Sequence, residues 1–284
     1  MAGDIPLWLL LSLMVEFGFG QLFKWAEQKG CHAPTVVSTN YLVMAAILLI
    51  YLGSTGRLQL PLAAVAVGVV TGTVFISSMS MMTHVLRLLR VASVLTAFRL
   101  SIVVPVGLGM LLWDEPLGGV QVLGLSLALL ALLLMSRHAQ HRTAVHGLRA
   151  LAMLALIFAL QGMSSSCLRW VHYAGLGSSH LQVLMVIGFT AGTIGAGRAL
   201  WLARRRPRRR DLAMGAGIGS FNLVALSVIL MTLERVPGTV FFPLMGCGVV
   251  ILDNLTAPLL WKEPLSRAAL WGVGVGVLAV VLVL

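Results

Sequence analysis

Charged residues are scarce in this sequence. They make up 10% of its 284 residues, against 59% hydrophobic residues, whereas soluble globular domains carry about 25% charged residues. Among the charged residues the acidic ones are the less frequent, with nine Asp and Glu against 20 Lys and Arg. The sequence also has three cysteines. This composition excludes an ordinary soluble domain, and three scattered cysteines are too few for a disulfide framework.

Catalytic motifs are also missing. The sequence has no HExxH pattern, no P-loop, no Ser/His/Asp order and no pair of intramembrane aspartates at helical spacing. His138, His141 and His146 lie together in a basic linker, but no cysteine or carboxylate joins them as a metal site would require. We therefore expect no enzyme activity, no metal site and no cofactor.

Long apolar runs fill most of the chain. A helix needs about 20 mostly apolar residues to cross a bilayer, and every backbone polar group in lipid must be satisfied within its own segment. The runs therefore predict an all-α integral membrane protein with ten transmembrane helices, located in the cell membrane. The predicted spans are residues 7–24, 35–53, 61–83, 92–112, 117–136, 147–168, 181–202, 212–232, 238–260 and 268–284.

The basic residues are distributed unevenly between the two sets of loops that ten spans define. Arg57, Arg169 and Arg235 fall on the side of both termini, and all other Lys and Arg except Arg99 fall on the opposite side. Because basic loops stay in the cytoplasm, both termini are predicted to lie outside. The densest basic run should contact anionic lipid headgroups rather than nucleic acid; it comprises Arg204, Arg205, Arg206, Arg208, Arg209 and Arg210.

Two similar pentapeptides separate apolar runs: WDEPL at 113–117 and WKEPL at 261–265. The segments GQLFKWAEQKG and SSCLRWVHYAG match at a similar offset, as do MMTHVLR and LMTLERV more weakly. These matches predict two five-helix repeats, at 1–140 and 146–284. Because five is odd, the second copy would enter the membrane from the opposite side, as in many secondary transporters. Asp114 and Glu115 should lie in a surface break between spans.

These features resemble the drug/metabolite transporter superfamily, and in particular its ten-span members with two EamA-type halves. The first span, LMVEFGFGQLFKWAEQKG, also resembles the first helix of the small multidrug resistance proteins. In those relatives a membrane-embedded glutamate binds protons and substrate in competition, and the resemblance implies this role for Glu16. Ten-span relatives usually keep both termini in the cytoplasm, which is opposite to the orientation that the loop charges predict here.

Charges inside predicted spans are the best candidates for a functional site, because a charge at a helix centre costs about 2.5–3.5 kcal/mol on insertion scales. They are Glu16, Arg99 and Asp253. At 1.5 Å per residue, all three lie about 10–12 Å above the inner boundary of their spans. Pro105 in the fourth span predicts a break or kink beside Arg99, and Pro243 and Pro258 predict the same in the ninth span. The predicted substrate- and proton-binding residues are Glu16, Arg99, Asp253, Asn254, Gln161 and Asn222.

Two roles for these charges remain open. Glu16 or Asp253 could exchange a proton during transport, or Arg99 could form a structural salt bridge with Asp253 or Glu16. We expect a secondary-active exporter, coupled to protons, for a small polar or zwitterionic metabolite or drug. The alternative is a flippase for a lipid or lipid-linked headgroup on the same scaffold. The oligomeric state is left open between monomer and homodimer.

Overall fold

The computed structural model describes residues 5–86, 88–89, 91–135, 147–203, 207–260 and 267–283. These residues form helices and connecting turns, without a strand among them. A one-turn 3-10 helix at Gly177–Ser179 precedes the eighth helix. The helices are α1 (Ile5–Gln28), α2 (Ala33–Ser54), α3 (Leu62–Val85), α4 (Val91–Leu100), α5 (Val103–Trp113), α6 (Gly119–Met135), α7 (Leu148–Tyr173), α8 (His180–Ala203), α9 (Arg209–Leu233), α10 (Gly238–Leu260) and α11 (Arg267–Val283).

Within the described ranges, eight stretches of helix are long and apolar enough to cross a membrane. They are α1, α2, α3, α7, α8, α9, α10 and the stretch Thr96–Trp113, which includes α5. The predicted fifth and tenth spans are the apolar helices α6 and α11, of 17 residues each. Each is about 25 Å long at 1.5 Å per residue, which is shorter than the ~30 Å hydrocarbon core. The chain is therefore a multi-pass, all-α membrane protein.

The chain folds into two compact units. The first unit comprises Met1–Ser80 and Cys167–Arg235, and the second comprises Met81–Ser166 and Val236–Leu284. Each unit contains helices from both halves of the chain. The compact units therefore divide the sequence differently from the repeats predicted at 1–140 and 146–284.

In the first unit, α2 packs against α8 and α9, and α1 packs against α9. Glycines on α9 bring its backbone against that of α2. A Cβ atom added at Gly219 would lie 2.5 Å from the carbonyl oxygen of Asn40, and one at Gly215 would lie 2.9 Å from that of Val36. Such close approach requires residues without a side chain.

Helix α3 approaches α8 through a second pair of glycines, again within the first unit. A Cβ atom added at Gly72 would lie 2.8 Å from the carbonyl oxygen of Ile187, and one at Gly68 would lie 3.2 Å from that of Val183. The α2–α9 and α3–α8 crossings are therefore each lined by two glycines separated by three residues.

In the second unit, α6 packs along α11, and α10 packs against α5, α6 and α11. One apolar cluster joins Ala131 and Leu132 of α6 to Val250 of α10. Another joins Val85 at the end of α3 to Ile157 of α7. The second unit thus surrounds the middle of α10, the helix that carries Asp253.

The prediction that Glu115 lies at the surface is wrong, although Asp114 is exposed. The Glu115 side chain is 6% exposed, and its Oε2 accepts a hydrogen bond of 2.9 Å from the backbone N–H of Thr239 at the start of α10. A carboxylate at a helix N-terminus satisfies a backbone N–H that has no partner within the helix and complements the helix dipole. The WDEPL break is therefore attached to α10. Its counterpart, WKEPL, lies outside the described residues.

The assignment of Arg169 to a loop is also wrong. Helix α7 continues to Tyr173, and Arg169 is buried within its last turns. The guanidinium donates a hydrogen bond to the carbonyl of Leu233 at the end of α9 and lies over the ring of Tyr173, 4.9 Å from its centroid. Since Arg169 is a packing residue, it does not belong among the loop charges that predict the orientation of the chain.

Part of the basic run can be located. Arg208, Arg209 and Arg210 are exposed at the start of α9, whereas Arg204, Arg205 and Arg206 lie outside the described residues. The next residue, Asp211, is buried. Its carboxylate accepts a hydrogen bond of 3.2 Å from the backbone N–H of His32 at the start of α2. The first turn of α9 therefore exposes its basic side chains and buries its acidic one.

Candidate functional site

The fourth predicted span is interrupted beside its charged residue. Helix α4 ends at Leu100 and α5 begins at Val103, so the break falls at Ser101 and Ile102. Pro105 explains the position, because it has no N–H to donate to the carbonyl four residues earlier, which belongs to Ser101, and its ring crowds that carbonyl. The break predicted from Pro105 is confirmed, whereas α10 continues as one helix through both of its prolines.

An ion pair lies at this break, within the second unit. Arg99, at the end of α4, donates a hydrogen bond of 2.9 Å from Nη2 to Oδ2 of Asp253 on α10. The two side chains are 23% and 30% exposed, respectively. One of the salt bridges considered from the sequence is therefore present, and it joins residues 154 positions apart.

The backbone around the break is tightly enclosed. A Cβ atom added at Gly162 of α7 would overlap the side chain of Val104, and one at Gly246 of α10 would lie 3.2 Å from that of Ile102. Both helices thus approach the chain close to the break. Gln161, which precedes Gly162, is half-buried in the same unit.

Asn254 follows Asp253 on α10. Its side-chain Nδ2 donates a hydrogen bond of 2.9 Å to the carbonyl of Val250, one turn earlier on the same helix. Four of the six predicted site residues, Arg99, Gln161, Asp253 and Asn254, therefore belong to the second unit, and two of them are in direct contact.

Glu16 and Asn222 belong to the first unit. Glu16 is half-buried on α1, which packs on α9 near this point. A Cβ atom added at Gly18 would lie 2.9 Å from the ring of Phe221. Asn222, the next residue on α9, is buried, and its Nδ2 atom has no hydrogen-bond partner.

Among the described charged and amide side chains, sequence reasoning missed the burial of Asn40, Glu115, Arg169 and Asp211. Asn40 stands in the apolar run TVVSTNYLVMAA, so an amide in the middle of a span was a visible signal. Glu115 and Arg169 had no such signal, because each stands next to the end of a predicted span, where charged side chains commonly reach the headgroups.

The Arg99–Asp253 pair has a definite chemical capacity. In a low-dielectric surrounding, opposite charges attract strongly, but each is costly once its partner is removed. A ligand with a carboxylate and an ammonium group can replace both partners at once. Protonation of Asp253 would also weaken the ion pair, because it removes the negative charge that attracts Arg99. The geometry therefore suits either exchange with a zwitterionic solute or a purely structural link between α4 and α10.

No protein-family profile and no curated protein matches this sequence. The fold, however, is shared with solved structures. One of them, described only as the crystal structure of a protein, has a TM-score of 0.77 with this chain at 12% sequence identity. The match covers 99% of this chain and 96% of the other. At this identity the likeness concerns the fold alone.

Proposed function

We propose that this protein is a secondary-active transporter of the drug/metabolite transporter type, carrying a small polar or zwitterionic solute and coupled to protons as an exporter. The observation that carries the proposal is the Arg99–Asp253 pair in membrane helices. Charges at such positions are rare and usually serve a substrate or ion pathway. An interrupted span at the same place supports it further, because many transporters build their sites from discontinuous helices.

The α3–α8 and α2–α9 crossings support an internal duplication. Gly68 and Gly72 on α3 stand 147 positions before Gly215 and Gly219 on α9. The residues that they approach, Val183 and Ile187 on α8 and Val36 and Asn40 on α2, are related by the same offset. The third helix of each half thus contacts the second helix of the other half in an equivalent way, as expected of two five-helix repeats.

The directions of neighbouring helices support ten spans with α4 and α5 counted as one. Helices α2 and α9 are parallel, since Val36 meets Gly215 and Asn40 meets Gly219 in the same order. Helices α2 and α8 are antiparallel, since Ser38 meets Gly195 and Tyr41 meets Gly188. In a ten-span chain, α2 is the second span, α8 the seventh and α9 the eighth. Even-numbered spans cross the membrane in one direction and odd-numbered spans in the other, so the observed directions agree with ten spans.

We place the basic run at the cytoplasmic headgroups and both termini outside. The exposure of Arg208, Arg209 and Arg210 supports contact with anionic lipid, where each basic residue contributes about 1 kcal/mol. Because Arg169 is buried in α7, it no longer counts among the basic loop residues on the outer side. The excess of basic residues on the cytoplasmic side is therefore larger than the sequence alone indicates. Of the described loop residues on the outer side, Arg57 and Arg235 remain.

The primary experiment uses purified protein in proteoliposomes. Counterflow of labelled solutes, chosen from a panel by thermal shift, should occur with zwitterionic solutes and depend on the protein. A labelled-lipid flip assay on the same vesicles tests the flippase alternative. Lipid movement without solute counterflow would reject a solute carrier and favour the flippase.

Proton coupling is tested with Glu16→Gln. This change removes the titrating group, so we expect proton-driven transport and its pH dependence to be lost, while solute counterflow persists. Glu27→Gln is the matched control, because Glu27 is exposed near the end of the same helix. An unchanged pH dependence in Glu16→Gln would remove the proton role from this residue.

A further inference from the structure

The α2–α9 and α3–α8 crossings, which are related by an offset of 147 positions, differ in polarity. At the α3–α8 crossing, Ile187 and Phe75 are buried apolar side chains. Their counterparts at an offset of 147 are Asn40 on α2 and Asn222 on α9. These are buried to the same degree, at 0% and 3% exposure. At these two pairs of matched positions, one crossing carries apolar side chains and the other carries amides, although α3 also buries the hydroxyl of Thr71 beside Gly72.

The two amides are not satisfied by the protein. Neither Oδ1 nor Nδ2 of Asn40 has a hydrogen-bond partner, and Nδ2 of Asn222 has none. Burying an amide without a partner destabilises a fold. Since Ile187 and Phe75 fill the equivalent positions, close packing of two such helices does not require amides. Their presence at the α2–α9 crossing needs an explanation other than packing.

Asn40 and Asn222 stand within about one helical turn of each other along the α2–α9 crossing. Asn40 is the residue whose carbonyl oxygen faces Gly219, and Asn222 follows Gly219 by three positions, which is one helical turn on the same side of α9. Because α2 and α9 are parallel, both side chains lean in the same direction, and the two amides remain about 4.5 Å apart along the helix axes, which is three residues at 1.5 Å each.

We propose that Asn40 and Asn222 form a binding site for a small neutral group that both donates and accepts hydrogen bonds. Asn40 offers one acceptor and two donors, and Asn222 adds further donors. A carboxamide matches this pattern, and so does water, which commonly occupies buried sites with two to four polar partners. Neither amide carries a charge, so a charged group would have no counter-ion among these two residues. The site stands independently of the transport proposal.

The test starts with Asn40→Ile, which installs the residue of the twin crossing, and Asn222→Leu, which replaces an amide by an apolar group of similar shape. Melting of the purified protein in detergent is measured without ligand. If the site is empty, each change removes a buried amide with unpaired atoms, and at least one variant should melt at or above the wild-type temperature. If water fills the site, both variants should melt lower and the water density should be seen in the second arm below. Ile187→Val, at the equivalent apolar position, reports the cost of disturbing a crossing alone.

The ligand is tested in two arms. In the first, acetamide is added as the probe; a rise in the melting temperature of the wild type that is absent in Asn40→Ile identifies a carboxamide site. In the second, a high-resolution experimental map is examined for solvent density within hydrogen-bonding distance of both amides; density that disappears in Asn40→Ile identifies a water site.

Either positive arm supports the proposal. If both apolar variants melt several degrees lower than both the wild type and Ile187→Val, and neither an acetamide shift nor solvent density is found, the amides stabilise the fold through the protein itself and the proposal is overturned. It is equally overturned if acetamide produces no shift and no density is present at the amides.

Discussion

Two arginines inside helices of this protein use their charge in different ways. Arg169, in the first unit, is 4% exposed, donates to a backbone carbonyl at the end of α9 and stacks on Tyr173. Arg99, in the second unit, is 23% exposed and pairs with a carboxylate on another helix. The first arginine is bound to a backbone carbonyl and the side chain of a tyrosine, whereas the second is bound to a carboxylate on another helix.

This contrast separates a structural charge from an exchangeable one. A guanidinium at a helix C-terminus complements the negative end of the helix dipole and satisfies carbonyls that the helix leaves open. Nothing in that arrangement offers a place to a solute. An ion pair that is partly exposed at a broken helix can instead be opened by a competing charge or a proton. We therefore expect changes at Arg169 to affect folding and changes at Arg99 or Asp253 to affect transport.

The largest effect on stability is expected for Arg169→Gln. The change removes a buried charge-assisted hydrogen bond, which contributes about 1.5–3 kcal/mol, and a cation–π contact of about 0.5–2 kcal/mol. The free energy of unfolding should fall by about 2–5 kcal/mol, measured by denaturation in detergent micelles.

Arg235→Gln is the matched control for this prediction. Arg235 also donates to a backbone carbonyl, that of Met231, and lies over an aromatic ring, that of Trp8, but its side chain is exposed. It should lose less than about 1 kcal/mol. Equal losses in the two variants would show that burial does not distinguish them.

The next effect is a loss of transport in Asp253→Asn. The variant keeps the shape of the side chain but removes its charge, so a solute ammonium would lose a charge-assisted hydrogen bond. A loss of about 1.5–3 kcal/mol corresponds to a roughly 10- to 100-fold weaker solute interaction. Counterflow at limiting solute concentration measures it.

Stability should change little in Asp253→Asn, because the ion pair is partly exposed and such pairs contribute little. Asp114→Asn removes the same charge from an exposed position of positive φ (49°), where asparagine is well accepted, and should transport normally. If Asp253→Asn instead transports normally and melts several degrees lower, the ion pair is structural, and the contrast with Arg169 disappears.

The sequence predicts the local features of this fold well. Apolar runs indicate the helices because a membrane span needs length and hydrophobicity alone, and Pro105 indicates the break because its effect acts four residues away. The Arg99–Asp253 contact could be anticipated because charges in lipid must find partners. The long-range contacts of Glu115 and Arg169 could not, since nothing near either residue identifies Thr239 or Leu233. The unpaired state of Asn40 depends on three-dimensional packing and was likewise invisible in the sequence.

The smallest effect sharpens the contrast between buried and exposed charge at helix ends. Glu115→Gln keeps an oxygen that can accept from the N–H of Thr239 but removes the charge at the start of α10. Interactions of this kind contribute about 0.3–1 kcal/mol, so the free energy of unfolding should fall by that amount. Glu234→Gln is the matched control. The Glu234 carboxylate also lies at the start of a helix, against Gly177 of the 3-10 helix, but its side chain is exposed. A loss of transport in Glu115→Gln with unchanged stability would contradict a capping role and assign the WDEPL carboxylate to the transport site instead.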